Sequence, residues 1–174
     1  MKIKKSTVKA LRFLAVCLLI MYLMYGHKYR VTYNSGESMH PTYSDGEWIY
    51  VQKRKSLPQN WTPSQLDVIV VRADGDDLIK RVIGVAGDTI AIQHGRIVLN
   101  GQVLKDSFAN QNITYWIESE EERSKKPRHE WLFFNTDTQE DVIPEGFVWV
   151  IGDNRHLSWY GMVEIKKIKG LVIF

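Results

Sequence analysis

Two kinds of hydrophobic pattern divide this chain. Phe13–Tyr25 is a run of thirteen residues without a charge, preceded by Lys2, Lys4, Lys5, Lys9 and Arg12. After Arg30 the apolar residues come in short bursts instead, at 48–51, 67–71, 78–83, 89–92, 96–99 and 147–151. The bursts are rich in β-branched and aromatic side chains and are bounded by Gly, Asp, Asn and Pro, which is the punctuation of strands. His94-Gly95 between two of them predicts a hairpin turn, and Asn100-Gly101 a further turn just after the second strand. No segment after Arg30 predicts a helix. The pattern therefore predicts a mainly β fold, an antiparallel β domain following one amino-terminal transmembrane helix.

The apolar run is shorter than the roughly 20 residues a membrane helix usually needs. Ala10, Leu11 and Gly26 extend it, and Arg12 and Lys28 can snorkel to the two interfaces. The order of charged then apolar residues also suits a cleavable signal peptide, but Tyr22–Tyr25 offers no small-residue cleavage site. A buried core helix rarely follows five positive charges. An uncleaved anchor over 10–27 fits best. Five cations precede it against Lys28 and Arg30 just after it, so the positive-inside rule predicts a cytoplasmic basic tail at 1–9 and an extracytoplasmic domain over 28–174. The expected location is a cell membrane crossed once. Within the domain, about 105–142 reads as a charged insertion. Its run Glu118–His129 has no apolar face and predicts a solvated loop. The last segment, Val163–Phe174, predicts a closing strand.

Composition narrows the function. The chain has 174 residues, 44% hydrophobic and 25% charged, enough for one domain with an ordinary core. Its net charge of +3 comes largely from the first dozen residues, and without them the remainder is slightly acidic. No nucleic-acid-binding surface is predicted. Cys17 is the single cysteine, so neither an intramolecular disulfide nor a cysteine metal site can form. The five histidines show no ligand spacing, so no metal and no cofactor is expected.

Two segments carry chemistry. In Ser35-Gly-Glu-Ser-Met-His-Pro-Thr42, Ser38 stands between a glycine-containing turn and a proline, on constrained and exposed backbone that can present a hydroxyl. Most serines in such turns merely bond the local backbone. In Asp77-Leu-Ile-Lys-Arg-Val-Ile-Gly-Val-Ala-Gly-Asp88, Lys80 and Arg81 interrupt an apolar strand. Alternation sends one of the two cations toward apolar surroundings unless the strand bends. A lysine so placed loses solvation, its pKa falls, and its neutral amine becomes available as a base for a serine hydroxyl. The competing reading is a Lys80 that snorkels from a sheet edge.

Taken together, Ser-Met-x-Pro-Thr, then Lys-Arg-Val-Ile-Gly-x-x-Gly-Asp, then Gly152-Asp-Asn-Arg-His-Leu-Ser158, in that order behind an amino-terminal anchor, resemble the type I signal peptidase family in its Gram-positive form. The resemblance covers roughly 10–104 and 143–161 and leaves the charged middle segment unmatched. It implies a serine endopeptidase that removes signal peptides from exported preproteins, with Ser38 as nucleophile and Lys80 as general base. It implies that the Ser38 amide donates to the oxyanion and that Gly36, Met39 and Pro41 lie close to the substrate, Met39 lining the site. Ser158 would hydrogen-bond and aim the Lys80 amine, while Asp153 and Arg155 would hold the carboxyl-terminal block against the Lys80 strand. The expected partners are preproteins with Ala-x-Ala cleavage sites, bound as an added β-strand, and the lipid bilayer.

Two departures stand out. Gly36 occupies the place where some family members carry an assisting serine. The family's usual Ser-x-Asp-Ser-Arg is shortened here to Ser158-Trp-Tyr-Gly161, so Tyr160 replaces the aspartate and a bracing ion pair is lost. His40 and His156 flank the motifs at positions that vary in the family, and no aspartate has a claim to orient either one. Two other readings compete with the general signal peptidase. One is a Ser–Lys peptidase dedicated to a single substrate, and the other is a non-catalytic peptide-binding accessory protein.

Overall fold

The computed structural model describes residues 5–173 except 74, 94–95, 106, 110–137 and 156. It opens with α1, Lys5–Tyr25. Thr7–Tyr25 is long and apolar enough to cross a membrane, and none of it is buried against the rest of the chain. The helix thus begins before the uncharged run does, and Lys9 and Arg12 lie within it. Its apolar side chains project into the surroundings, as a segment solvated by lipid requires.

Everything else described is strand, turn or one of two three-residue 3-10 turns, at Arg54–Ser56 and Ile165–Lys167. The strands are β1 Tyr29–Tyr33, β2 Trp48–Lys53, β3 Val68–Ala73, β4 Asp76–Val85, β5 Thr89–Gln93, β6 Arg96–Leu99, β7 Gln102–Val103, β8 Asp141–Val142, β9 Phe147–Ile151, β10 Tyr160–Glu164 and β11 Ile168–Val172. Every pairing is antiparallel. Six strands grow from the apolar bursts seen in the sequence. β1, β7, β8 and β10 do not. β7 and β8 are two residues long, and β1 and β10 mix polar and apolar residues at a sheet edge, so none leaves a burst to read.

The strands form two sheets, one of seven in the order β1-β2-β11-β3-β4-β9-β10 and one of four in the order β7-β6-β5-β8. Asn100-Gly101 turns β6 into β7, both residues at positive φ (51° and 74°), with Leu99 facing Gln102. That conformation is why the Asn-Gly pair stands there. Gln93 faces Arg96, so β5 and β6 form the predicted hairpin, while its turn residues His94 and Gly95 lie outside the described residues. The carboxyl-terminal segment is not one closing strand. It splits at Ile165–Lys167, and β11 enters the middle of the large sheet between β2 and β3.

The core falls into three apolar clusters. Ile83, Ile90, Ile97, Trp149 and Ile151 seal the small sheet onto the large one. Met39, Ile49, Val68 and Ile79 pack on one side of the large sheet, and Ile69, Val71, Val82 and Val150 on the other. Alternation along β3 supplies both sides, since Val68 and Val70 join one cluster and Ile69 and Val71 the other. The charged run Glu118–His129 lies outside the described residues. The ends of its insertion are tied in, because Asp141 pairs with Ile90 and the Thr138 amide donates to the Ile92 carbonyl.

Candidate active site

Ser38 sits on the loop that joins β1 to β2, and Asn34 organises that loop. Its side chain is buried (2% exposed), and its amide nitrogen faces the carbonyls of Gly36 (3.0 Å), Ser44 (2.9 Å) and Tyr43 (3.3 Å). A single side chain therefore closes the neck of the loop, while the Gly36 amide donates to Asp45 (2.6 Å). Gly36 and Pro41 are exposed beside the serine. Met39 is not. It is 0% exposed and packs among Ile49, Val68 and Ile79, so it anchors the loop from beneath and lines no open surface. An apolar residue next to a constrained serine lowers its free energy most by turning inward.

Lys80 comes from the middle of β4, opposite the fully buried Ile69. It is 3% exposed, and its Nζ lies 3.0 Å from Ser38 Oγ, so the reading in which it snorkels to solvent does not hold. Among the described residues it makes no ion pair, and burial pulls its pKa from 10.5 down to about 8. The Asp153 carboxylate nearby partly offsets that fall. Desolvation wins because Asp153 is already committed to another cation.

That cation is Arg81. Its guanidinium grips Asp153 through Nε (2.8 Å) and Nη2 (2.7 Å), and it also donates to the Leu66 carbonyl (3.0 Å). The ring of Phe108 covers it at 4.3 Å. Thr42 donates its hydroxyl to the same carboxylate. Three segments far apart in the chain, the Ser38 loop, β4 and the block after β9, therefore meet on the fully buried Asp153. Both consecutive cations are buried, and only Arg81 is compensated.

Gly152 fills the narrowest point. A side chain there would collide with the Ser38 carbonyl and the Ser158 hydroxyl, so only glycine lets the two serines approach from either side. The Asn154 amide donates to the Ser38 carbonyl (3.0 Å), fixing the backbone of the serine from the same block. Ser158 does not reach Lys80. Its hydroxyl receives the Gly152 amide (2.6 Å) and donates to the Trp159 carbonyl (3.0 Å). The shortened block accounts for this, because the chain enters β10 only two residues later and the hydroxyl is satisfied within its own turn. Arg155 donates to the Gly152 carbonyl, bracing that turn. Trp159 packs on the cluster around Val163, and Tyr160 lies against Trp149 with ring centroids 5.4 Å apart, so aromatic packing occupies the shortened stretch. His40 is exposed, and His156 lies outside the described residues.

A serine hydroxyl at hydrogen-bond distance from a buried amine of lowered pKa can perform acyl transfer. The sequence profile described as "Signal peptidase, peptidase S26" matches residues 5–174. The chain belongs to that family. Signal peptidase IB of Staphylococcus aureus (strain Mu50) is 30% identical, over 98% of this chain and 90% of its own length. Signal peptidase I of Bacillus caldolyticus is 30% identical, over 93% and 86%. A crystal structure of a signal peptidase I from Enterococcus faecalis V583 superposes with a TM-score of 0.41 at 21% identity, covering 64% of this chain and 97% of that one. The protein is thus a membrane-anchored serine endopeptidase that removes signal peptides.

Sequence reasoning missed four members of this site, among them Arg81, read only as one of two cations on a strand and not as the partner of Asp153. Asn34 carried no motif signal, and its value lies entirely in the loop it closes. Thr42 and Gly152 stood inside quoted motifs without a role, because only the fold brings them to Asp153 and between the two serines.

Proposed function

We propose that Ser38 attacks the carbonyl carbon at the end of the signal peptide while neutral Lys80 takes its proton. The observation that carries this reading is the 3.0 Å approach of Lys80 Nζ to Ser38 Oγ in a site that excludes water from the amine. Protonated, Lys80 donates to Oγ. Neutral, it accepts the hydroxyl proton and returns it to the departing amine. The Ser38 amide donates to no described residue and is available to the developing oxyanion. Water then hydrolyses the acyl-enzyme, with Lys80 again the base. Ser158, Asp153 and Arg155 act behind the dyad through Gly152 and Arg81.

The substrates in this reading are exported preproteins whose signals end in Ala-x-Ala, bound as a strand beside the Ser38 loop. α1 spans the bilayer with its basic end in the cytoplasm, and the sheets work outside. The outer face of the β1–β2 hairpin supports a seat at the lipid surface. Tyr29, Val31, Tyr33, Trp48 and Tyr50 are exposed there, on a hairpin whose first strand begins four residues past the end of the helix. Aromatic side chains favour that interface.

Cleavage of such a preprotein by the detergent-solubilised protein tests the proposal. Cutting after the second alanine, lost in both Ser38→Ala and Lys80→Met, is the expected result. A folded protein that cuts equally well without either side chain would refute it.

A further inference from the structure

Acceptors hold Arg81 around its edge, and an aromatic ring covers its face. Nε and Nη2 donate to Asp153 at 2.8 and 2.7 Å, Nη1 donates to the Leu66 carbonyl at 3.0 Å, and the Thr42 hydroxyl lies 3.4 Å from Nη2. These partners lie in the plane of the guanidinium, where its N–H groups point. What remains is the flat face, and the ring of Phe108 takes it, 4.3 Å from the central carbon. The arginine is left nearly sealed from water, and Asp153 wholly so.

Phe108 comes from neither segment that carries the dyad. It stands near the start of the charged insertion, yet this stretch is packed. Leu104 and Phe108 lie against the cluster that holds Ile83, Ile97 and Trp149, Ala109 is buried, and the Leu104 amide donates to the Ile97 carbonyl (2.8 Å). Ile83 is two residues beyond Arg81 on β4. The root of the insertion is thereby fixed to the strand that carries both cations. A ring over a cation attracts it and displaces the water that would hydrate that face.

The consequence reaches the dyad through Asp153, the carboxylate that favours the ammonium form of Lys80. While Arg81 holds Asp153 in a dry contact, the two opposite charges largely cancel at Lys80. Water admitted at the Arg81 face weakens that contact and lets more of the Asp153 charge reach the amine. We propose that Phe108 is a positioning residue of the peptidase: its ring keeps water off the Arg81–Asp153 pair, so that Asp153 stays committed to Arg81 and Lys80 is left without a counter-charge. This inference rests on the Ser38–Lys80 reading. The Ser38 loop also turns Tyr43 toward the pair, with Glu47 beyond it, and burial raises the Tyr43 phenol, so it stays neutral where Lys80 titrates.

The test is kcat/KM of the full-length, detergent-solubilised enzyme on a preprotein, followed from about pH 6 to about pH 10, a profile that reports the free enzyme. A nearer counter-charge and added water both favour the ammonium, so both raise the midpoint. Phe108→Ala should move it up by about half a unit, a loss of about threefold at pH 7, with the plateau rate retained. Phe108→Leu keeps apolar bulk against the cluster without the ring, and should shift the midpoint the same way by less. Phe108→Tyr keeps the ring and should keep the wild-type midpoint. A midpoint that stays in place or moves down in the folded alanine and leucine variants, with the rate lowered equally at every pH, would make Phe108 packing alone and overturn the proposal. So would a midpoint that moves as far in Phe108→Tyr as in Phe108→Ala. Lys80→Met serves as the separate control. Cleavage that survives it defeats the dyad, whatever Phe108 does.

Discussion

Lys80 and Arg81 are neighbours on one strand, both nearly sealed from water, and they meet opposite fates. Arg81 faces a buried carboxylate that takes its guanidinium with two hydrogen bonds. Lys80 faces only a serine hydroxyl, and its pKa falls to about 8. Burial alone makes a charged group costly. What decides between a brace and a base is whether a counter-charge is supplied. Asp153 supplies one to Arg81 and leaves Lys80 without. The region around Asp153 therefore holds the site together at low cost, and the region around Ser38 accepts a less stable charge, which in the proposed mechanism is what makes Lys80 a base.

The largest test of that contrast is to remove the dyad. Ser38→Ala and Lys80→Met should each lower the rate of preprotein cleavage by about 10³-fold or more. Lys80→Met should also stabilise the fold. A pKa of about 8 against 10.5 means that protonated Lys80 disfavours the folded state by about 3 kcal/mol at neutral pH. That cost is fully present below pH 8 and is relieved as the pH rises toward 10.5. A denaturant titration at pH 7 that finds Lys80→Met no more stable than wild type would contradict the uncompensated burial.

Removing the brace should act in the opposite sense. Asp153→Ala strands the Arg81 charge and should cost about 3–5 kcal/mol of stability, read by thermal or denaturant unfolding. Arg81 and Asp153 replaced together by apolar residues should recover much of that loss. If the double variant is no better than the single one, the damage comes from packing.

Gly152→Ala probes the point where the two regions touch. The added methyl must push apart Ser38 and Ser158, and a shift of the nucleophile by about 1 Å can cost about 10²-fold in rate. Cleavage should fall far more than stability does.

Next comes pH. Below pH 7 the rate should fall about tenfold per unit as Lys80 takes up its proton, with a midpoint near the pKa of about 8 and a plateau about one unit above it. The smallest expected effect is that of Ser158→Ala. Its hydroxyl is satisfied within its own turn, so the loss should be about 1 kcal/mol of stability with the midpoint of the pH profile unmoved. A midpoint that moves would mean that Ser158 touches Lys80 during turnover.

Much of this molecule could be read from its residues. The amino-terminal helix, six strands and the Asn100-Gly101 turn follow from patterns within a few neighbours, because apolar runs and turn residues act locally. The pairing of Ser38 with Lys80 was suggested by three ordered motifs, not by the spacing of either residue. The inward turn of Met39 and the self-satisfied Ser158 escaped that reading. Each depends on what another segment places beside it.

The sequence by itself determined that the chain begins with a membrane-length apolar helix, continues as antiparallel β structure, and sets a lysine and an arginine side by side in an apolar strand, where alternation turns one of them toward apolar surroundings. It did not determine which cation would be paired. Thr42, Arg81 and Asp153 lie in three different segments, as do Ser38, Lys80 and Gly152, and none can reach another before the sheets assemble. Only the tertiary structure brings Asp153 to Arg81 and leaves Lys80 to a serine. An interaction between side chains 42 residues apart is absent from the local chain and appears only when folding removes the water between them.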